Sequence, residues 1–98
     1  RVAEPAAAAA RAPAKEERRG AAAHEQARRT QAVERKRARE VERLGREIEV
    51  RETKMRELES QLADPEVYQD GTRTRDLVTR YERLRAEVES LWQKLGEL

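Results

Sequence analysis

The chain has 98 residues, of which 43% are charged and 37% hydrophobic, with no Phe and no Cys. Its wealth of Ala, Glu, Arg and Leu suits long helices or a coiled coil and excludes a globule with a thick core, while the lack of Cys excludes a disulfide framework or thiolate metal site and fits a reducing, cytoplasmic compartment. The net charge of +2 conceals a split, since residues 1–40 hold 11 Lys/Arg against 6 Glu and residues 41–98 hold 11 Lys/Arg against 14 Asp/Glu.

Beginning with Arg1 rather than Met, the chain reads as a segment of a longer protein. Residues 1–20 place Pro5, Pro13 and Gly20 among alanines and mixed charges, with Val2 the sole large aliphatic residue, and this predicts a disordered linker. The longest apolar run, Ala6 to Ala10, is closed by Arg11 and is too short for a membrane span or a signal-peptide core, so no membrane is expected. Residues 21–40 form a basic arm that is partly helical. Glu25 and Arg29 stand in the favourable i, i+4 order, but Val33 is the only sizeable apolar residue, which leaves such a helix solvated.

From Val41 the apolar spacing alternates three and four, through Leu44, Ile48, Arg51, Met55, Leu58 and Leu62, and marks heptad positions a and d. A second run follows at Leu77, Tyr81, Leu84, Val88, Leu91, Leu95 and Leu98. Between them lies LADPEVYQDGTRTRDL, Leu62 to Leu77. If this stretch turns the chain back, Leu62 meets Leu77, Leu58 meets Tyr81, Ile48 meets Leu91 and Val41 meets Leu98, every pair of numbers adding to 139 and the match ending flush with the last residue. An antiparallel pair sets g beside g and e beside e, so Glu47 faces Lys94, Lys54 faces Glu87, Glu52 faces Arg85, and Gly45 lies opposite Trp92 as a shape match. Parallel homodimers would oppose Glu47 to Glu52 and Arg80 to Arg85, which repel.

The turn has its own chemistry. Asp64 caps a short helix with Pro65 at its first position, Val67 and Tyr68 fold over the end of the seam, Asp70-Gly71 permits a positive φ, and Thr72 or Thr74 caps the second helix. The expected fold is therefore all-α: a monomeric two-helix antiparallel coiled-coil hairpin over 41–98, preceded by a flexible basic Ala/Arg-rich segment. The first helix should run from about 30 to 62, the tip over 63–76 and the second helix over 73–97.

No phosphate-binding glycine loop and no grouping of nucleophile, base and orienter occurs, so no catalytic, cofactor or metal residue is assigned. His24, the only histidine, stands without neighbouring ligands and reads as a surface residue. Arg51, the one polar residue in the core layers, reads as a register device reaching Glu47 or Glu87. The arginines are the functional candidates: Arg28, Arg29, Arg35, Lys36, Arg37 and Arg39 upstream, and Arg73, Arg75, Arg80 and Arg83 near the tip. Their planar forks suit phosphate oxygens, which points to nucleic acid held by its backbone. A solvated helix face and a protein-docking module are the competing readings.

The run ELESQLADPEVYQDGTRTRDLVTRYERLRAEVESLWQKL, Glu57 to Leu95, resembles the C-terminal domain of ABC-F ATPases, most closely the Uup type. The matching features are the tip at Leu62 to Glu66 with Tyr68, the Asp70-Gly71 step, and the closing pattern at Leu91, Trp92, Leu95 and Leu98. The Asp-Pro-Glu-Val tip is also similar to the N-terminal helical region of peptide-chain release factors, against which the alanine-rich linker and the closing Leu-Trp argue. The ABC-F resemblance implies a cytoplasmic parent ATPase that uses ATP and magnesium and acts in translation on the ribosome, in some members with antibiotic resistance. It also implies a C-terminal hairpin that contacts DNA or ribosomal RNA.

Overall fold

Asp64 and Asp70 divide the helical chain into three. A computed structural model describes the backbone of residues 3–98 and the side chains of residues 14–98. It contains α1 (Ala3–Leu62), α2 (Pro65–Tyr68) and α3 (Gly71–Gly96), and no strand among the described residues. The chain separates into two units, residues 1–36 and 37–98.

In the first unit the backbone is helical from Ala3, upstream of the start near residue 30 that the heptad pattern marks. Alanine has the lowest cost of entering a helix, and a heptad pattern reports only where a helix is covered. The side chains of the expected linker lie outside the described residues up to Pro13. Over the expected arm the helix is solvated, with Val33 57% exposed. Local bonds support it: Glu25 accepts from both Arg28 and Arg29, and the Thr30 hydroxyl donates to the Gln26 carbonyl at 3.0 Å.

The second unit is the expected all-α antiparallel hairpin, in which α1 and α3 pack along the heptad seam. Leu44, Ile48 and Leu91 form one buried cluster, flanked by Val88 and Leu95. Leu58, Val67 and Leu77 form another, flanked by Leu62, Tyr81 and Leu84. Between them lies the Arg51 layer. Arg51 Nε donates to Glu87 at 3.0 Å and its Nη1 to the Glu47 carbonyl at 3.0 Å, as a cation reaching out of an apolar seam must. The Tyr81 hydroxyl donates to Glu59 at 2.8 Å. These two cross-helix bonds pair 51 with 87 and 59 with 81, one step either side of the register drawn from the seam.

The tip departs from expectation in three ways. Asp70, not Thr72 or Thr74, caps α3, accepting from the Arg73 amide at 3.1 Å with φ −103 and ψ 97, so the helix begins at Gly71. Among the described residues none has positive φ. The reversal comes from two extended N-caps in succession, since Asp64 (φ −78, ψ 120) caps α2 in the same way by accepting from the Glu66 amide, with Pro65 at the first helical position. Thr74 instead ties the tip down, its hydroxyl lying 2.9 Å from the Val67 carbonyl and 3.0 Å from that of Asp70. Third, Val67 alone covers the seam's end at 3% exposure, while Tyr68 is 61% exposed. Successive residues of a short helix point about 100° apart, so only one of the two can face inward.

Three further expectations are corrected. The outermost layer is open rather than buried, since Val41 and Leu98 are 42% and 43% exposed and belong to neither buried cluster. None of the pairs Glu47–Lys94, Lys54–Glu87 and Glu52–Arg85 comes within ion-pair distance. Arg43, one turn away on the same helix, takes Glu47 at 3.3 Å, and Arg51 takes Glu87. Gly45 is no notch filled by Trp92, because a Cβ built there meets nothing within 4 Å and Trp92 is 52% exposed.

The bond to Glu59 raises the pKa of the Tyr81 phenol, with desolvation adding to it. A proton held more tightly in the folded state stabilises the fold below the unfolded phenol's pKa and ceases to do so as pH rises through the folded value. The hairpin should therefore lose stability above about pH 10. Tyr81→Phe, which keeps the ring in the seam, should lose less over the same range when thermal melts are compared at neutral and alkaline pH.

Candidate nucleic-acid interface

The ten candidate cations fall into two groups according to whether a carboxylate already holds them. In the first unit Arg28 and Arg29 share Glu25, whereas Arg35 and Lys36 have no ion-pair partner among the described residues. In the second unit Arg37 is engaged and Arg80 is held by Asp76 at 3.1 Å. Arg39, Arg73, Arg75 and Arg83 have no ion-pair partner among the described residues. All ten side chains are exposed. Arg43 shows the opposite state: its hydrogen bond to Glu40 raises its pKa, with the attraction of Glu40 and Glu47 opposing desolvation.

Helix geometry positions the unpaired set. Arg73 and Arg75 lie in the first turns of α3, where the amides add positive potential at the tip. Arg83 lies at a c position on the edge where g faces g, and lines two adjoining open grooves. One, of about 450 Å³, includes Glu47, Arg51, Glu87 and Lys94. The other, of about 510 Å³, includes Lys54, Leu58, Gln61 and Arg80. Sequence reasoning missed Lys54 and Lys94 by assigning them to interhelical pairs. Both are exposed and unpaired among the described residues, on the same edge as Arg83. Their g positions were the available signal.

The opposite edge differs in sign. At the e and b positions Glu42, Glu49, Glu52, Glu59, Glu82 and Glu89 stand against Arg56, Arg75 and Arg85, with Arg75 at the tip end. The e and b edge is therefore net acidic away from the tip.

Among the described residues no group of three or more His, Cys, Asp and Glu could hold a metal ion. Among them too, no helix is long and apolar enough to cross a membrane. His24 is exposed.

The model of the ABC transporter C-terminal domain family matches residues 32–98. The match covers the whole hairpin and the last part of the basic segment before it. No curated protein and no solved structure matches the chain.

Proposed function

The chain belongs to the ABC transporter C-terminal domain family, which makes it an accessory domain of an ABC protein, and we propose that it binds nucleic acid through phosphate contacts. In this reading the parent is an ABC-F ATPase of the Uup type that uses ATP and magnesium and acts in the cytoplasm, in translation on the ribosome. The hairpin holds the parent on DNA or ribosomal RNA. Chemistry belongs to the cassettes and positioning to this domain.

One observation carries the proposal. Six of the ten candidate cations, Arg35, Lys36, Arg39, Arg73, Arg75 and Arg83, have no ion-pair partner among the described residues, whereas Arg28, Arg29 and Arg80 are held by carboxylates. Arg18, Arg19, Arg56 and Arg85 likewise have no ion-pair partner among the described residues, so the free guanidinium surface is wider than the candidate set. An unpaired exposed guanidinium loses nothing to a competing carboxylate when it meets a phosphate, and each such meeting releases counterions. Among the described residues the only exposed aromatics are Tyr68 and Trp92, which favours recognition of backbone rather than sequence.

Salt titration of the binding of the chain to duplex DNA and to ribosomal RNA tests this. Log affinity should fall linearly with log salt, by about 0.9 per neutralised phosphate on duplex DNA. Changing Arg73, Arg75 and Arg83 together to Ala should reduce that slope by about 0.9 for each phosphate no longer neutralised, with helicity by circular dichroism unchanged. A salt-independent affinity, or a slope that the triple substitution leaves in place, removes the tip from the interface.

A further inference from the structure

Trp92 occupies an e position of α3, next to the buried Leu91, yet is 52% exposed. Register sets Gly45 across from it on α1, and Gly96 lies one turn beyond it on α3. A Cβ built at either glycine meets nothing within 4 Å. A large aromatic side chain is thus left beside two bare stretches of backbone that the chain itself does not fill. The nearest b positions carry Glu42, Glu49 and Glu89. Arg46 takes Glu42 at 3.3 Å, but Glu49 and Glu89 have no ion-pair partner among the described residues.

The charge of this edge decides which partner fits. Six glutamates stand against three arginines, of which Arg75 lies far off at the tip, so Glu42, Glu49 and Glu89 around Trp92 repel a phosphate backbone and stacking of a nucleobase there is disfavoured. The same field attracts a cationic segment, and an indole face is the best aromatic partner for an arginine or lysine head. Exposed Trp at a desolvatable surface is also the residue type that most often anchors protein interfaces. Glycine on a helix surface lets a neighbouring element approach closely.

We propose that Trp92, Gly45 and Gly96 form a docking surface for a basic amphipathic helix of a protein partner, with an Arg or Lys of that helix over the indole and Glu49 and Glu89 flanking it. This surface lies at the open end of the hairpin, away from the tip arginines and on the edge opposite Arg83, so the domain can hold protein and nucleic acid together.

Trp92 is the only tryptophan in the chain, so its emission reports the site directly. The probe is a synthetic amphipathic helix of Leu and Arg, with its Leu and Glu counterpart as control. The arginine peptide should change the emission saturably and the glutamate peptide should not. Gly45→Leu fills open space without touching a neighbour, so it should retain the helical signal and melting temperature while weakening the arginine peptide at least tenfold. The double change Glu49→Lys with Glu89→Lys should do the same by charge. Equal responses to both peptides, undiminished binding by Gly45→Leu, or a shift of Trp92 emission by duplex DNA would each overturn the proposal. Affinity for DNA, read separately by anisotropy of labelled duplex, can fail without affecting these outcomes.

Discussion

Leu58→Ala should lower the unfolding free energy of the hairpin by about 2–5 kcal/mol, the usual range for removing a buried leucine side chain. Leu58 is 7% exposed and shares its cluster with Val67 and Leu77, so it joins α1 to both the tip helix and α3. Few other side chains carry so much of the fold. The buried hydrophobics among the described residues are Leu44, Ile48, Leu58, Val67, Leu77 and Leu91, and a seam one residue wide has no second layer to collapse into the void. In a domain of this size about 1 kcal/mol corresponds to roughly 4–8 °C in melting temperature, so the helical signal should melt at least about 8 °C earlier. Leu98→Ala is the control, because Leu98 is 43% exposed at the open end and should shift the melt little. Equal losses at the two positions would mean that the seam is not closed at the tip.

The hairpin was legible because two heptad runs flank a stretch with its own turn residues, Asp64-Pro65 and Asp70-Gly71; the constant sum alone is weak evidence, since any two strict heptad runs give one. The two buried clusters lie on the register with that sum, and the bonds Arg51–Glu87 and Tyr81–Glu59 fall one step either side of it. Local choices were less legible, since several residues competed for each role. Asp70, Thr72 and Thr74 can all cap a helix, and the carboxylate of Asp70 prevailed while the Thr74 hydroxyl reached back to Val67. Likewise Val67 and Tyr68 are adjacent candidates for one inward position.

Charge pairing was read least well, for a reason that bears on the candidate interface. Positions e and g say which residues share an edge, and Glu47 and Lys94 do line one groove. They do not say whether the side chains meet, because an exposed pair is worth about 0.2–1 kcal/mol and a neighbour one helical turn away competes on equal terms. Arg43 therefore holds Glu47, and Lys94 remains available. The positions of Arg73, Arg75 and Arg83 were visible from the chain, but their lack of partners depends on where every nearby carboxylate settles. Trp92 was misread for a related cause: Gly45 opposite a tryptophan suggests a filled notch, but an e position lies at the rim, where the ring can turn to solvent at little cost.

Arg51→Leu should make the hairpin more stable and less specific. The Arg51–Glu87 pair is partly solvated, with side chains 29% and 45% exposed, so screening leaves it within about 1 kcal/mol. A leucine at this d position would bury apolar surface worth about 1.5–3 kcal/mol and join the two clusters into one seam. The net gain should be about 1–2 kcal/mol, and Glu87, exposed enough to be hydrated, is not left stranded. Arg51 also breaks the repeat: slipping α3 by a heptad would place the cation against a different layer and away from Glu87, and an apolar residue removes that penalty. The Leu variant should accordingly melt higher while showing, in sedimentation velocity at rising concentration, a dimer in which α1 of one molecule pairs with α3 of another. Arg51→Ala supplies the contrast, removing the cation without filling the layer, and should melt lower. If the Leu variant melts below the parent chain, the cation contributes net stability; if it melts higher and stays monomeric, the antiparallel register is set by the tip, through Asp64, Asp70 and Thr74, without help from the seam.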